Sequence, residues 1–175
     1  MAGRVFRLSS VAWICALGVS SAGAQEQPSS APLLERLRSM GPAEIEAVYR
    51  GGTVAAIPAG PIRGVALLSP GTRRGRLVSR GARLVWQGKV FEAGGDRATN
   101  LFFGLRIVQA RVYQGTSWLD GEPALVLDYS QTSRIYARYR DEIRQVAPGV
   151  YLGVMHDVTK SPPELRMYFA LESGR

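Results

Sequence analysis

The chain has 175 residues, a length that suits one domain able to bury a core of its own. Lys and Arg number 22 against 14 Asp and Glu, a formal net charge of +8, and there is a single cysteine. A lone cysteine rules out a disulfide framework within the chain and a thiolate metal cluster.

The first residues read as a Sec-type signal peptide. Arg4 and Arg7 form a positive start, Val11 to Val19 an apolar core, and Ala22-Gly23-Ala24 a run of small residues suited to cleavage. The apolar core is shorter than the roughly 20 residues a membrane span needs. Cys15 follows Ile14 inside the apolar core, which does not fit a lipidation site. Cleavage after Ala24 would leave residues 25–175, without cysteine and with a net charge of +6, since Arg4 and Arg7 leave with the leader. The expected location is therefore periplasmic or secreted. In that setting a basic balance first of all keeps the protein soluble, and any anionic partner it meets would be lipid headgroups or other envelope polymers and not nucleic acid.

Residues 25–32, QEQPSSAP, read as a flexible leader, and 33–175 as one domain. Leu33, Leu34, Leu37 and Met40 recur at helical spacing up to Gly41-Pro42. Pro42 then suits the first turn of a second short helix, with Ile45, Val48 and Tyr49 on its apolar face and Gly51-Gly52 at its end. A strand candidate follows at Gly64–Ser69, closed by Pro70-Gly71. The segment TRRGRLVSR carries Arg73, Arg74, Arg76 and Arg80 and reads as a basic surface run with no clear element.

From residue 83 the pattern becomes β. RLVWQGKVFEA alternates with Leu84, Trp86 and Val90 on one side, and Gly94-Gly95-Asp96 is a hairpin signal. Further strands are predicted around Ile107–Tyr113, over 122–130, over VYLGVMHDV and over ELRMYFALE, where Leu165, Met167, Phe169 and Leu171 alternate. Between them, SQTSRIYARYRDEIRQVAPG predicts a helix. Ile135, Tyr139, Ile143 and Val146 form a stripe, Arg138, Asp141, Glu142 and Arg144 sit at ion-pair spacings on a solvated face, and Pro148-Gly149 stops it.

Six or seven strands joined by short turns predict a mainly β protein. The expected form is a strongly curved antiparallel sheet or small β-barrel, with N-terminal helices and one helix inserted before the last strands. An open α+β cone is the alternative architecture.

The candidate chemistry is sparse. His156 is the single histidine, and neither a G-x-S-x-G nor a Ser-x-x-Lys signature occurs. A hydrolase or isomerase could draw only on Asp128, Glu142 or His156. No cofactor and no metal are expected. Asp128 stands among apolar neighbours and needs a cation from Arg106, Arg111, Arg140 or Arg144, either as an ion pair or as a polar anchor on a cavity floor. Aromatics are spread over all the strands and would line either a filled core or a cavity. The candidate ligand-binding set is Trp86, Tyr113, Trp118, Asp128, Tyr129, Arg140 and Tyr151.

The segments WQGKVFEA, TSWLDGEPALVLDYS, RDEIRQVAPGVYLG and YFALE resemble a group of small uncharacterised bacterial and eukaryotic domains, over roughly residues 83–172. In general plan the chain is also similar to calycin-type β-barrels, the lipocalin and plastid-fibrillin class, though it lacks the G-x-W opening of lipocalins. That resemblance implies carriage of lipids or other hydrophobic molecules. With the export signal, the antiparallel strand pattern and the aromatic-rich strands, the expected function is an exported, non-catalytic binding protein for a hydrophobic or amphiphilic, lipid-like small molecule. An envelope interaction protein using its basic surface against an anionic membrane is the alternative.

Overall fold

The computed structural model describes residues 31–174; the leader-like segment 1–24 and most of the polar stretch 25–32 lie outside them. The strands, β1 (Gly60–Leu67), β2 (Trp86–Phe91), β3 (Arg97–Phe102), β4 (Leu105–Thr116), β5 (Pro123–Asp128), β6 (Tyr139–Ala147), β7 (Val150–Asp157) and β8 (Glu164–Glu172), pair in chain order. They form a closed antiparallel barrel, with β1 completing the ring against β8. This is consistent with the calycin-type plan.

Among the described residues three helices decorate the barrel: α1 (Ala31–Ser39), α2 (Pro42–Arg50) and α3 (Arg73–Ala82). The first two follow the predicted periodicity. Pro42 opens α2, and the Glu44 carboxylate accepts a 2.7 Å hydrogen bond from the Gly41 amide, so the turn between the helices is capped from inside the second. Leu34, Leu37, Ile45 and Tyr49 pack on Val65, Leu67, Leu152 and Val154, covering the outer wall of β1 and β7. The basic segment without an assigned element is α3. Thr72 caps it by accepting from the Gly75 amide at 2.8 Å, and Ser79 Oγ accepts from the Leu68 amide at 3.0 Å.

The inserted helix is therefore α3, between β1 and β2. The stretch expected to be helical before Pro148-Gly149 is instead a turn-rich loop followed by β6. Ile135, expected on an apolar stripe, is exposed, whereas Arg140, Asp141, Glu142 and Arg144 are buried. The physical reason is that β6 is covered on both faces. Asp141 and Ile143 point into the barrel, while Arg140, Glu142 and Arg144 lie under the β4–β5 loop and α2. With polar groups on both faces, no hydrophobic alternation marks the strand, and the charges fall at helical spacing by coincidence. Pro148-Gly149 does end the segment, as a two-residue turn with Gly149 at φ +70°.

Inside the barrel, one end is filled by Ile62, Phe91, Ala98, Val112 and Leu171. The chain entering β1 lies across this end: Ala55 and Ile57 pack on the interior cluster, Tyr151 OH donates to Ala56 O at 3.1 Å, and Thr53 pairs with Gln145. Higher in the barrel, Trp86 and Phe169 meet edge to face at 5.6 Å. Gly64 makes room for them, because a Cβ there would stand 2.6 Å from the Gly88 backbone and 2.7 Å from the Trp86 ring. Gly64→Ala should therefore lower stability by about 1–3 kcal/mol through overpacking, read as a lower urea midpoint at unchanged slope. An unchanged midpoint would mean that β1 and β2 separate freely at this point.

Candidate functional site

The interior holds one buried polar cluster, built from three strands and one loop. Lys89 (β2), Asn100 (β3), Asp141 (β6) and Tyr129, just after β5, are each at most 3% exposed. Lys89 Nζ donates to Asp141 Oδ2 at 2.9 Å, to Tyr129 OH at 2.8 Å and to Asn100 Oδ1 at 2.7 Å. Tyr129 OH donates to Asp141 Oδ2 at 2.6 Å and accepts from Asn100 Nδ2 at 3.2 Å. Trp86 Nε1 donates to Asn100 Oδ1 at 3.0 Å. The Lys89 ammonium also lies 5.2–5.6 Å from the ring centres of Phe169, Trp86 and Tyr129, close enough for cation–π attraction.

Two backbone irregularities aim these groups inward. Trp86 and Lys89 are three residues apart and would face opposite sides of a regular strand. A shift of register between Trp86 and Gly88 turns both into the barrel. On the neighbouring pair, a register shift at Thr99/Asn100 accompanies Val108 at φ +65°. Its carbonyl accepts from Asn100 Nδ2 at 3.1 Å. A β-branched residue in that region is strained, and such strain clusters at functional sites.

The cluster forms one wall of a partly open cavity of about 110 Å³, whose other walls are Ala66, Phe102, Tyr136, Met155, Met167 and Phe169. These residues come from the barrel end bearing the β1–β2, β3–β4, β5–β6 and β7–β8 connections, opposite the filled end. Burial pushes the Lys89 ammonium below its ordinary value, and Asp141 pushes it back up. Burial and the neighbouring Asp141 carboxylate raise Tyr129 well above the ordinary phenol range, so its hydroxyl keeps its proton.

A second polar network lies outside the barrel wall. Glu142, fully buried, accepts from Ser117 Oγ at 2.5 Å, from the Trp118 amide at 3.0 Å and from Arg140 at 2.5 Å. Arg140 stacks on the Trp118 ring at 3.9 Å. Arg144 grips Asp120 with two 2.7 Å hydrogen bonds and lies 4.5 Å from the Tyr49 ring centre. Together these contacts fix the β4–β5 loop and α2 to β6. His156, lowered by burial, has its Nδ1 3.7 Å from Glu142. Among the described residues no group of three or more His, Cys, Asp or Glu is placed to hold a metal ion.

The candidate residues divide between several places. Trp86 and Tyr129 line the cavity. Tyr113, Trp118, Asp128 and Arg140 come together instead on an outer groove. Asp128 forms no ion pair among the described residues; its Oδ1 accepts from the Ser130 amide at 2.8 Å and shapes the turn after β5. Tyr151 faces inward at the closed end. Lys89 and Asn100 are not singled out by the sequence, and Asp141 is expected there on a helix face and not inside a barrel. A lysine flanked by Trp86, Val90 and Phe91 was the one available signal for an inward polar residue.

No protein-family model matches the chain, and no curated protein is detectably similar to it. A protein from Thermomonospora curvata of known crystal structure shares the fold, with a TM-score of 0.56 and 18% identity, over 83% of this chain and 95% of that one. Likeness at that identity concerns the fold alone.

Replacing one partner of the central pair should leave the other charge buried alone. Lys89→Met and Asp141→Leu should each cost about 3–5 kcal/mol, and the double variant should recover much of it. Chemical denaturation of the three variants measures the coupling; additive losses would show that the two charges do not depend on one another.

Proposed function

We propose that the protein is an exported, non-catalytic barrel that binds a small, largely apolar molecule in the cavity floored by Lys89, Asn100, Tyr129 and Asp141. The observation that carries this reading is the cavity itself: apolar and aromatic walls, one fully organised polar wall, and an opening at a single end. Ligand sites have this make-up, a mostly hydrophobic lining with a few fixed polar groups. At about 110 Å³ it is somewhat smaller than an apolar cavity of roughly 150 Å³ that accepts benzene. A ring or a short chain fits inside, and any longer tail of an amphiphile projects through the mouth. Export rests on the leader-like start of the chain.

Ala66→Phe places a ring in the cavity and leaves every residue of the polar cluster unchanged. Wild-type residues 25–175 should retain a discrete apolar compound in native mass spectrometry, or quench Trp86 fluorescence on titration with small aromatic compounds. The variant should do neither while keeping the wild-type circular dichroism. Equal binding by the two proteins would remove the cavity as the site.

A second reading, compatible with the first, is contact with an anionic membrane through the mouth. The four connections at that end contain eight Arg or Lys and no Asp or Glu, whereas the β2–β3 and β4–β5 connections at the other end contain four acidic residues and no basic one. Of the eleven exposed large hydrophobic residues described, nine lie on the mouth connections or the start of β4, Ile135 and Leu84 being the most exposed. Apolar side chains interleaved with cations are what an anionic bilayer retains at its surface. Co-sedimentation with phosphatidylglycerol vesicles should exceed that with phosphatidylcholine, weaken with added salt, and fall in Arg80→Glu/Arg83→Glu. Binding indifferent to both salt and charge reversal would exclude this contact.

A further inference from the structure

The hydrogen bonds of the cavity wall point to the chemical class of the ligand. Every polar atom of the cluster but one has its full set of partners. All three protons of Lys89 Nζ are committed, to Asn100, Tyr129 and Asp141. Both Asn100 Nδ2 protons are committed, to Val108 O and Tyr129 OH, and its Oδ1 accepts from Lys89 and Trp86. Tyr129 OH donates once and accepts twice. Asp141 Oδ2 accepts from Lys89 and Tyr129. Asp141 Oδ1, buried and on a residue that lines the cavity, accepts from nothing.

We infer that the bound molecule is a neutral hydrogen-bond donor, an alcohol or phenol whose O–H engages Asp141 Oδ1 while its apolar body fills the aromatic walls. This inference rests on the cavity being the binding site. The polar cluster offers an acceptor and holds no uncommitted donor, so a carboxylate or phosphate head would meet the Asp141 carboxylate without a donor from Lys89, Asn100, Tyr129 or Trp86. An ammonium head would be drawn to Asp141 but repelled by Lys89, whose charge the same carboxylate already balances. Desolvating any ion in a cavity lined by Phe102, Met155, Met167 and Phe169 adds to its cost. A neutral hydroxyl escapes both penalties and completes the one unfilled position.

Phenol, anisole, toluene and benzoate present the same ring with, in turn, a donor, an acceptor alone, no polar group and an anion. Calorimetric or NMR titration of residues 25–175 should rank phenol at least about tenfold tighter than anisole and toluene, with benzoate weakest. Anisole or toluene matching phenol, or benzoate exceeding it, would overturn the inference while leaving the cavity as a binding site. No binding by any of the four, with Ala66→Phe indistinguishable from wild type, would instead remove the cavity reading on which it rests. Asp141→Asn tests the same atom: its side chain keeps an oxygen for Lys89 and replaces the other acceptor by a donor. The preference for phenol over anisole should vanish in it. If the variant does not fold, the ranking in the wild-type protein decides alone.

Discussion

The Lys89–Asp141 pair is the constraint around which the barrel interior is arranged. A buried ion pair is tolerable only when each remaining proton and lone pair finds a partner. Here that demand reaches around the wall from β2 to β6. It accounts for the register shift that turns Lys89 inward, for the inward carbonyl of Val108 at the cost of a left-handed valine, and for a tyrosine immediately after β5. It also accounts for the glycine at position 64, because the indole bonded to Asn100 needs the space a side chain there would take. The pair ties β2 to β6 across the lumen, a link that backbone pairing between neighbouring strands does not provide.

Outside the wall the same strand carries an independent network, centred on Glu142 and Arg144, that holds α2 and the β4–β5 loop. The two networks are separated by one strand's thickness and alternate along its sequence: Arg140 out, Asp141 in, Glu142 out, Ile143 in, Arg144 out. Glu142 has its oxygens taken up by Ser117, Trp118 and Arg140, which suits a fastening better than an acid or base waiting for substrate.

How much of this was legible in the sequence follows from where polarity and burial coincide. The N-terminal helices, the hairpin at Gly94-Gly95 and strands β4, β5, β7 and β8 each have an apolar face or a turn signal of their own, and the antiparallel barrel followed from them. The strand β6 did not, because tertiary packing buries five consecutive residues of which four are charged. The helix α3 was obscured for the opposite reason: its apolar residues, Leu77 and Val78, face solvent among arginines. Trp86 and Tyr129 were within reach as strand aromatics. Lys89 was not, since a one-residue bulge decides its face, and Asp141 was seen only as a charge on a helix that the structure replaces by β6.

The segment across the filled end has a consequence for traffic. With Ala55, Ile57 and Tyr151 stoppering one end, the barrel is a dead-end vessel and not a conduit, so a molecule held as proposed would enter and leave through the same door. Loading and unloading then cannot be separated by direction. They would differ only in what the door faces: were the opening pressed against a surface, exchange would be slow, and it would be faster once the opening turned to water.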